Sequence, residues 1–168
     1  LRIRREVGYI NTLEINVAFP FLMRVYQDFT ENLIDKGTLI AVFRLTQSFV
    51  WRRFIVGLPT NALNKIFMTL YDRVEPADYV GSIERSLMQR SGSQRFPRDS
   101  EVISNLKDKD MYNTKSRTRT YFFDRIENHN NKEFVDVGAS NITVEHIFPQ
   151  NPDAVWTKFL PAADYKEL

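Results

Sequence analysis

The chain contains no cysteine. Disulfides and thiolate-ligated zinc are thereby excluded, and a cytoplasmic protein is the expectation. No apolar run approaches the roughly 20 residues that a membrane-spanning helix needs, so no membrane partner is expected. The opening Leu1-Arg2-Ile3-Arg4-Arg5 has no apolar segment behind it, which argues against a secretory signal. An excess of one charge is also lacking. The net charge of +2 permits nucleic-acid binding without arguing for it. The six glycines form no phosphate-binding Gly-rich loop.

What is present is a globular composition. Hydrophobic residues make up 43% and aromatics 13%, enough to exclude a disordered chain. At 168 residues there is room for one domain with a core, or one domain and a piece of another. No internal repeat or low-complexity segment stands out.

The first 90 or so residues read as helices. Ile15, Phe19, Leu22, Tyr26, Phe29 and Leu33 recur at helical spacing. Pro20 within that pattern predicts either a kink or a helix start near Phe19, with Gly37 as the stop. A second stripe runs from Leu39 to Ile55 and stops at Gly57 and Pro59. A third runs from Leu63 to Val74 with Thr60 or Asn61 as its cap, and a fourth follows Asp78. The polar segment from Gln89 to Arg95 reads as a loop. A short helix is expected behind Asp99, with Val102, Ile103 and Leu106 inward, and another over Lys115 to Asn128. The aromatics Phe19, Tyr26, Phe67 and Tyr71 are expected in the core.

From Phe134 the period changes. Phe134, Val135 and Val137, then Ile142 and Val144, read as two short strands joined around Gly138. The expected fold is mainly α: a helical bundle over residues 1–130, then a short β-hairpin near the C-terminus within residues 131–168. The last stretch, Trp156 to Leu160, carries large apolar groups that need cover from the bundle or a neighbouring chain.

The chemistry concentrates in Thr143-Val144-Glu145-His146-Ile147-Phe148-Pro149-Gln150. A histidine that titrates near neutrality suits general-base activation of water, and a carboxylate suits a divalent metal. Adjacent residues on a regular strand face opposite ways, so Glu145 and His146 can converge only where the strand ends. Pro149 argues that pairing does end there. From the dipeptide alone, a surface acid and histidine at a strand end is the plainer reading. His129, in the loop Asn128-His129-Asn130-Asn131, reads as a solvated side chain.

The string from Val144 to Pro152 resembles the start of the HNH (His-Me finger) nuclease domain found C-terminally in GmrSD-type modification-dependent restriction endonucleases. Upstream, Ala18-Phe19-Pro20-Phe21-Leu22, Ser48-Phe49-Val50-Trp51-Arg52-Arg53, the segment Pro59 to Phe67 and Phe96-Pro97 resemble the helical region before that domain. Asp124-Arg125-Ile126-Glu127-Asn128 resembles the helix leading into it. The resemblance covers nearly the whole chain. It implies a two-part DNA endonuclease, with a ParB-like nucleotide-hydrolysing domain in cis or trans and DNA, including modified DNA, as substrate. It further implies His146 as general base, Glu145 as the metal-binding acid, and Mg²⁺ or Mn²⁺ as cofactor.

The chain begins at Leu1 without an initiator methionine and ends 22 residues beyond His146. The expectation is therefore a fragment carrying an incomplete ββα-metal element, inactive by itself. Two other groups stay open at this level. Arg52-Arg53 fits a salt bridge to Asp28 or Glu31, or a phosphate contact. Lys115, Arg117, Arg119 and Arg125 fit a solvated helix face, or a contact to the DNA backbone. The competing description of the whole chain is a non-catalytic helical linker or interaction module between a nucleotide-sensing domain and a nuclease.

Overall fold

The computed structural model describes residues 2–143 and 153–159. Eight α-helices lie among them: α1 Arg2–Thr12, α2 Phe19–Thr30, α3 Lys36–Val56, α4 Asn61–Leu70, α5 Tyr79–Met88, α6 Asp99–Lys107, α7 Ser116–Glu127 and α8 Ala154–Phe159. Short 3₁₀ turns link several of them.

α3 is the axis of the bundle. Its 21 residues span about 30 Å. Leu39, Val42, Phe43, Phe49 and Ile55 are buried along it, and α1, α2, α5 and α6 all pack on it. A helix enclosed on several sides buries apolar groups around its girth. Phe21, Phe49 and Phe67 join α2, α3 and α4 in one core, with ring centroids 6.0 Å apart for Phe21–Phe67 and 6.3 Å for Phe49–Phe67.

The helix boundaries follow local chemistry. Pro20 lies in the first turn of α2, where its missing N–H costs nothing, so the helix starts there and does not kink. Gly37 is not a stop. Asp35 caps α3 by accepting a hydrogen bond from the Thr38 N–H at 2.7 Å, and Gly37 sits inside that first turn. A Cβ at position 37 would come 3.3 Å from the capping carboxylate. Gly57 closes α3 as expected, at φ 75°, in the left-handed region that glycine adopts without strain. Asp78 precedes α5 but caps nothing; its carboxylate pairs with Arg85.

The buried face of α2 differs from the expected stripe. Phe21, Leu22, Val25 and Asp28 point inward, while Phe19, Tyr26 and Leu33 are exposed. Asp28 takes an inward place because two phenols meet it: Tyr71 donates at 2.9 Å and Tyr79 at 2.5 Å. In α6 the expected cap Asp99 is the first helical residue, and Arg98 precedes it. Val102 is half-buried, but Ile103 and Leu106 are exposed. α6 is fastened largely by polar contacts: Arg52 to Asp99 at 2.6 Å and Arg95 to Glu101 at 2.6 Å.

The predicted β-hairpin is absent among the described residues. Val135, expected in its first strand, has both backbone groups engaged by one side chain. Asn128 Nδ2 donates to the Val135 carbonyl at 2.8 Å, and the Val135 N–H donates to Asn128 Oδ1 at 2.9 Å. The Asn128 amide thus substitutes for a neighbouring strand. Beyond it, Asp136 turns the chain by accepting from the Gly138 N–H at 3.0 Å, and the Ile142 N–H donates to the Ala139 carbonyl. Val144, expected in the second strand, lies outside the described residues. In α8, Val155 and Trp156 are exposed.

Candidate functional site

α7 carries three of the four basic residues singled out above, and Lys115 immediately precedes it. The structure does not gather them on one face. Lys115 and Arg117 reach back to Glu14, at 4.0 Å and 3.2 Å. Arg119 donates to the Tyr112 carbonyl on another side. Arg125 lies over the Tyr9 ring, 5.2 Å from its centroid. Lys115 and Arg117 are thus partly neutralised, whereas Arg125 makes no ion pair among the described residues.

Arg125 instead rims a cleft of about 480 Å³ between α3 and α7. Trp51, Tyr121 and Phe122 form its aromatic wall. The Trp51 and Phe122 rings are nearly parallel, 19° apart with centroids at 5.8 Å, and Tyr121 lies 5.1 Å from Trp51. Arg44 and His129 stand on the rim, and Gln47 and Ser48 also line the cleft. His129 is exposed, as expected of a loop histidine.

The wall is held from behind by a buried polar network. Glu6, 1% exposed, accepts from Arg44 Nε at 2.7 Å and from Gln47 Nε2 at 3.0 Å. Tyr121 donates to Gln47 Oε1 at 3.4 Å. Tyr9 donates to buried Asp124 at 2.6 Å. Burial, then the hydrogen bond to Asp124, raises the Tyr9 phenol; burial pushes Tyr121 up to about 12. Both phenols therefore remain donors at neutral pH.

A second, larger cleft of about 1160 Å³ opens between α3, α4 and the segment before α7, lined among others by Phe54, Leu58, Asn61 and Lys109. Lys109 is committed there: its Nζ donates to the Phe54 carbonyl at 3.1 Å.

Arg52 and Arg53 do not bind Asp28 or Glu31. Arg53 is buried and donates to the carbonyls of Pro59 at 2.7 Å, Ser93 at 2.8 Å and Arg95 at 3.3 Å. Burial first, and the charge of Arg95 second, lower its pKa. Arg52 pairs with Asp99 and donates to the Pro97 carbonyl at 3.1 Å. Both arginines are engaged within the chain.

Glu145 and His146 lie outside the described residues. Among the described residues no three His, Asp or Glu side chains converge to hold a metal ion. No helix there is long and apolar enough to cross a membrane. Sequence reasoning singled out Arg125 but missed Arg44, Trp51 and Phe122 as lining one cleft. Trp51 and Phe122 are 71 positions apart, and only the packing of α3 beside α7 joins them.

Residues 96–167 match the family model described as GmrSD restriction endonucleases, C-terminal domain. No curated protein and no solved structure matches the chain. The matched stretch contains α6, α7, α8 and the Glu145-His146 pair, and begins at the Phe96-Pro97 element seated on α3. Over that stretch, which is less than half of the chain, the sequence is similar to the C-terminal domain of GmrSD-type restriction endonucleases.

Proposed function

We propose that this chain is part of a metal-dependent DNA endonuclease of the HNH type that acts in restriction of foreign DNA. The observation that carries this reading is the family match over residues 96–167, which spans Glu145 and His146. His146 would act as general base, taking the proton from the attacking water. Glu145 would supply a carboxylate ligand. A bound Mg²⁺ or Mn²⁺ stabilises charge on the scissile phosphate and the leaving oxygen. The remaining ligands would come from other parts of the parent protein, and a ParB-like nucleotide-hydrolysing domain would join it in cis or in trans.

The test is plasmid nicking by the full-length parent protein with Mg²⁺ or Mn²⁺, beside its His146→Ala variant. Removal of a general base is expected to lower the rate at least about 100-fold while the fold survives. Undiminished cleavage by the variant would move the chemistry to other residues.

A second reading has its own support. The helices α1, α3 and α7 are tied by buried polar bonds. Such a body suits a rigid linker that transmits a nucleotide-dependent signal to a nuclease. Wild-type parent that fails to cut modified and unmodified DNA alike would favour it.

A further inference from the structure

We infer that the cleft between α3 and α7 binds one unstacked nucleotide of a DNA strand, with the base against Trp51 and Phe122 and its phosphate between Arg44 and Arg125. The inference rests on the reading of the parent as a DNA endonuclease and names the element of DNA this surface takes.

Four observations support that occupant. The cleft volume of about 480 Å³ falls in the range of small-ligand sites, roughly 300–1,000 Å³. Its wall is aromatic, and stacking on aromatic rings holds any base because every base has a π-face. Its rim is cationic. Arg44 uses Nε for Glu6, yet half its side chain remains exposed, and Arg125 has no carboxylate partner among the described residues. The acids nearby are already engaged: Glu6 is buried beneath Arg44 and Gln47, and Asp124 is held by Tyr9. Finally, Ser48 lines the cleft with a hydroxyl that makes no hydrogen bond among the described residues. It is placed to meet the edge of a base, whereas Gln47 is used up in fixing the wall.

A stacked duplex presents no base face to such a wall. The site therefore selects a nucleotide that is already unpaired, or one drawn out of the helix. Lys115 and Arg117, paired with Glu14 at the other end of α7, take no part in this contact.

The experiment uses the full chain and a short labelled duplex with one unpaired 2-aminopurine nucleotide, compared with the fully paired duplex. No metal is added, so binding is read without cleavage. Wild type is expected to prefer the unpaired site and to quench 2-aminopurine fluorescence as the base stacks. Phe122→Leu is expected to lose about tenfold in affinity for that duplex and most of the quenching. Arg125→Ala is expected to weaken both duplexes and to reduce the salt slope by about one. Ser48→Trp, which fills the cleft from a half-buried position, guards against misfolding of the Phe122 variant; circular dichroism checks each fold. Equal binding of the two duplexes, or a Phe122→Leu protein that quenches like wild type, overturns the inference. So does a wild-type chain that binds neither duplex. Nicking by the full-length parent remains a separate result, so failure here leaves the nuclease reading standing.

Discussion

Arg53 donates to three backbone carbonyls in two segments: Pro59 in the turn after α3, and Ser93 and Arg95 in the 3₁₀ turn before α6. Its guanidinium fastens the 89–98 segment to the end of the central helix. A planar fork with several donors can do this; a lysine ammonium cannot reach the same set. Arg53→Met should cost about 3 kcal/mol in urea denaturation, because three part-buried backbone carbonyls lose a charged donor. Arg53→Lys should recover only part of that loss. A Met variant within about 0.5 kcal/mol of wild type would reduce Arg53 to the level of a surface residue. The sequence pointed to a structural role for Arg52-Arg53 but to the wrong partners, Asp28 and Glu31. Backbone carbonyls leave no trace in residue types, so partners of this kind cannot be read from a string of letters. Asp28 was hidden for the opposite reason: a carboxylate inside an apolar stripe looks like a break until two tyrosines from α5 and the turn after α4 are seen to meet it.

At the level of elements, long apolar stripes were legible and short or polar-faced pieces were not. α3 and α4 follow their stripes, and Gly57 marks an end because its φ of 75° disfavours other residues. α1 gave no stripe of its own, since its first turn is rich in arginine and the charged Glu6 takes an inward place beside Tyr9 and Ile10. The hairpin failed on a single competition. Alternating Val135 and Val137 have the period of a strand, but Asn128 sits seven residues earlier and occupies both ladder groups of Val135. Asn128→Ala should therefore release the segment after α7 instead of restoring a hairpin. The expected result is amide exchange at Val135 roughly fivefold faster, with α3 amides unchanged, because about 1 kcal/mol of local bonding is lost. Equal exchange at Val135 in the two proteins would show that the segment is held by something other than Asn128.

At the level of the molecule, the question is whether the family-matched stretch stands apart from the helices before it. The sequence suggested a boundary near residue 130, drawn from a change of period. α7 lies before that boundary but inside the family-matched stretch, and its buried bonds tie that stretch to the helices before it: Tyr9 to Asp124, and Tyr121 through Gln47 to Glu6, join the last long helix to the first and third. Arg5 and Arg125 also flank the Tyr9 ring at 5.7 Å and 5.2 Å. None of these pairings has a sequence signature, since Tyr9 and Asp124 are 115 positions apart. The consequence is that α1, α3 and α7 should unfold as one unit. Tyr9→Phe removes a single hydroxyl and leaves Asp124 buried without its donor, which should cost about 1–3 kcal/mol. Trp51 lies on α3 against α7, so in a Trp156→Phe background tryptophan fluorescence reports the junction while far-ultraviolet circular dichroism reports the helices. In wild type and variant the two urea transitions should coincide, and both should move to lower urea in Tyr9→Phe. If only the fluorescence transition moved, α7 would be an appendage that docks on a separately stable bundle. The cleft it forms with α3 would then open and close without the rest of the protein unfolding.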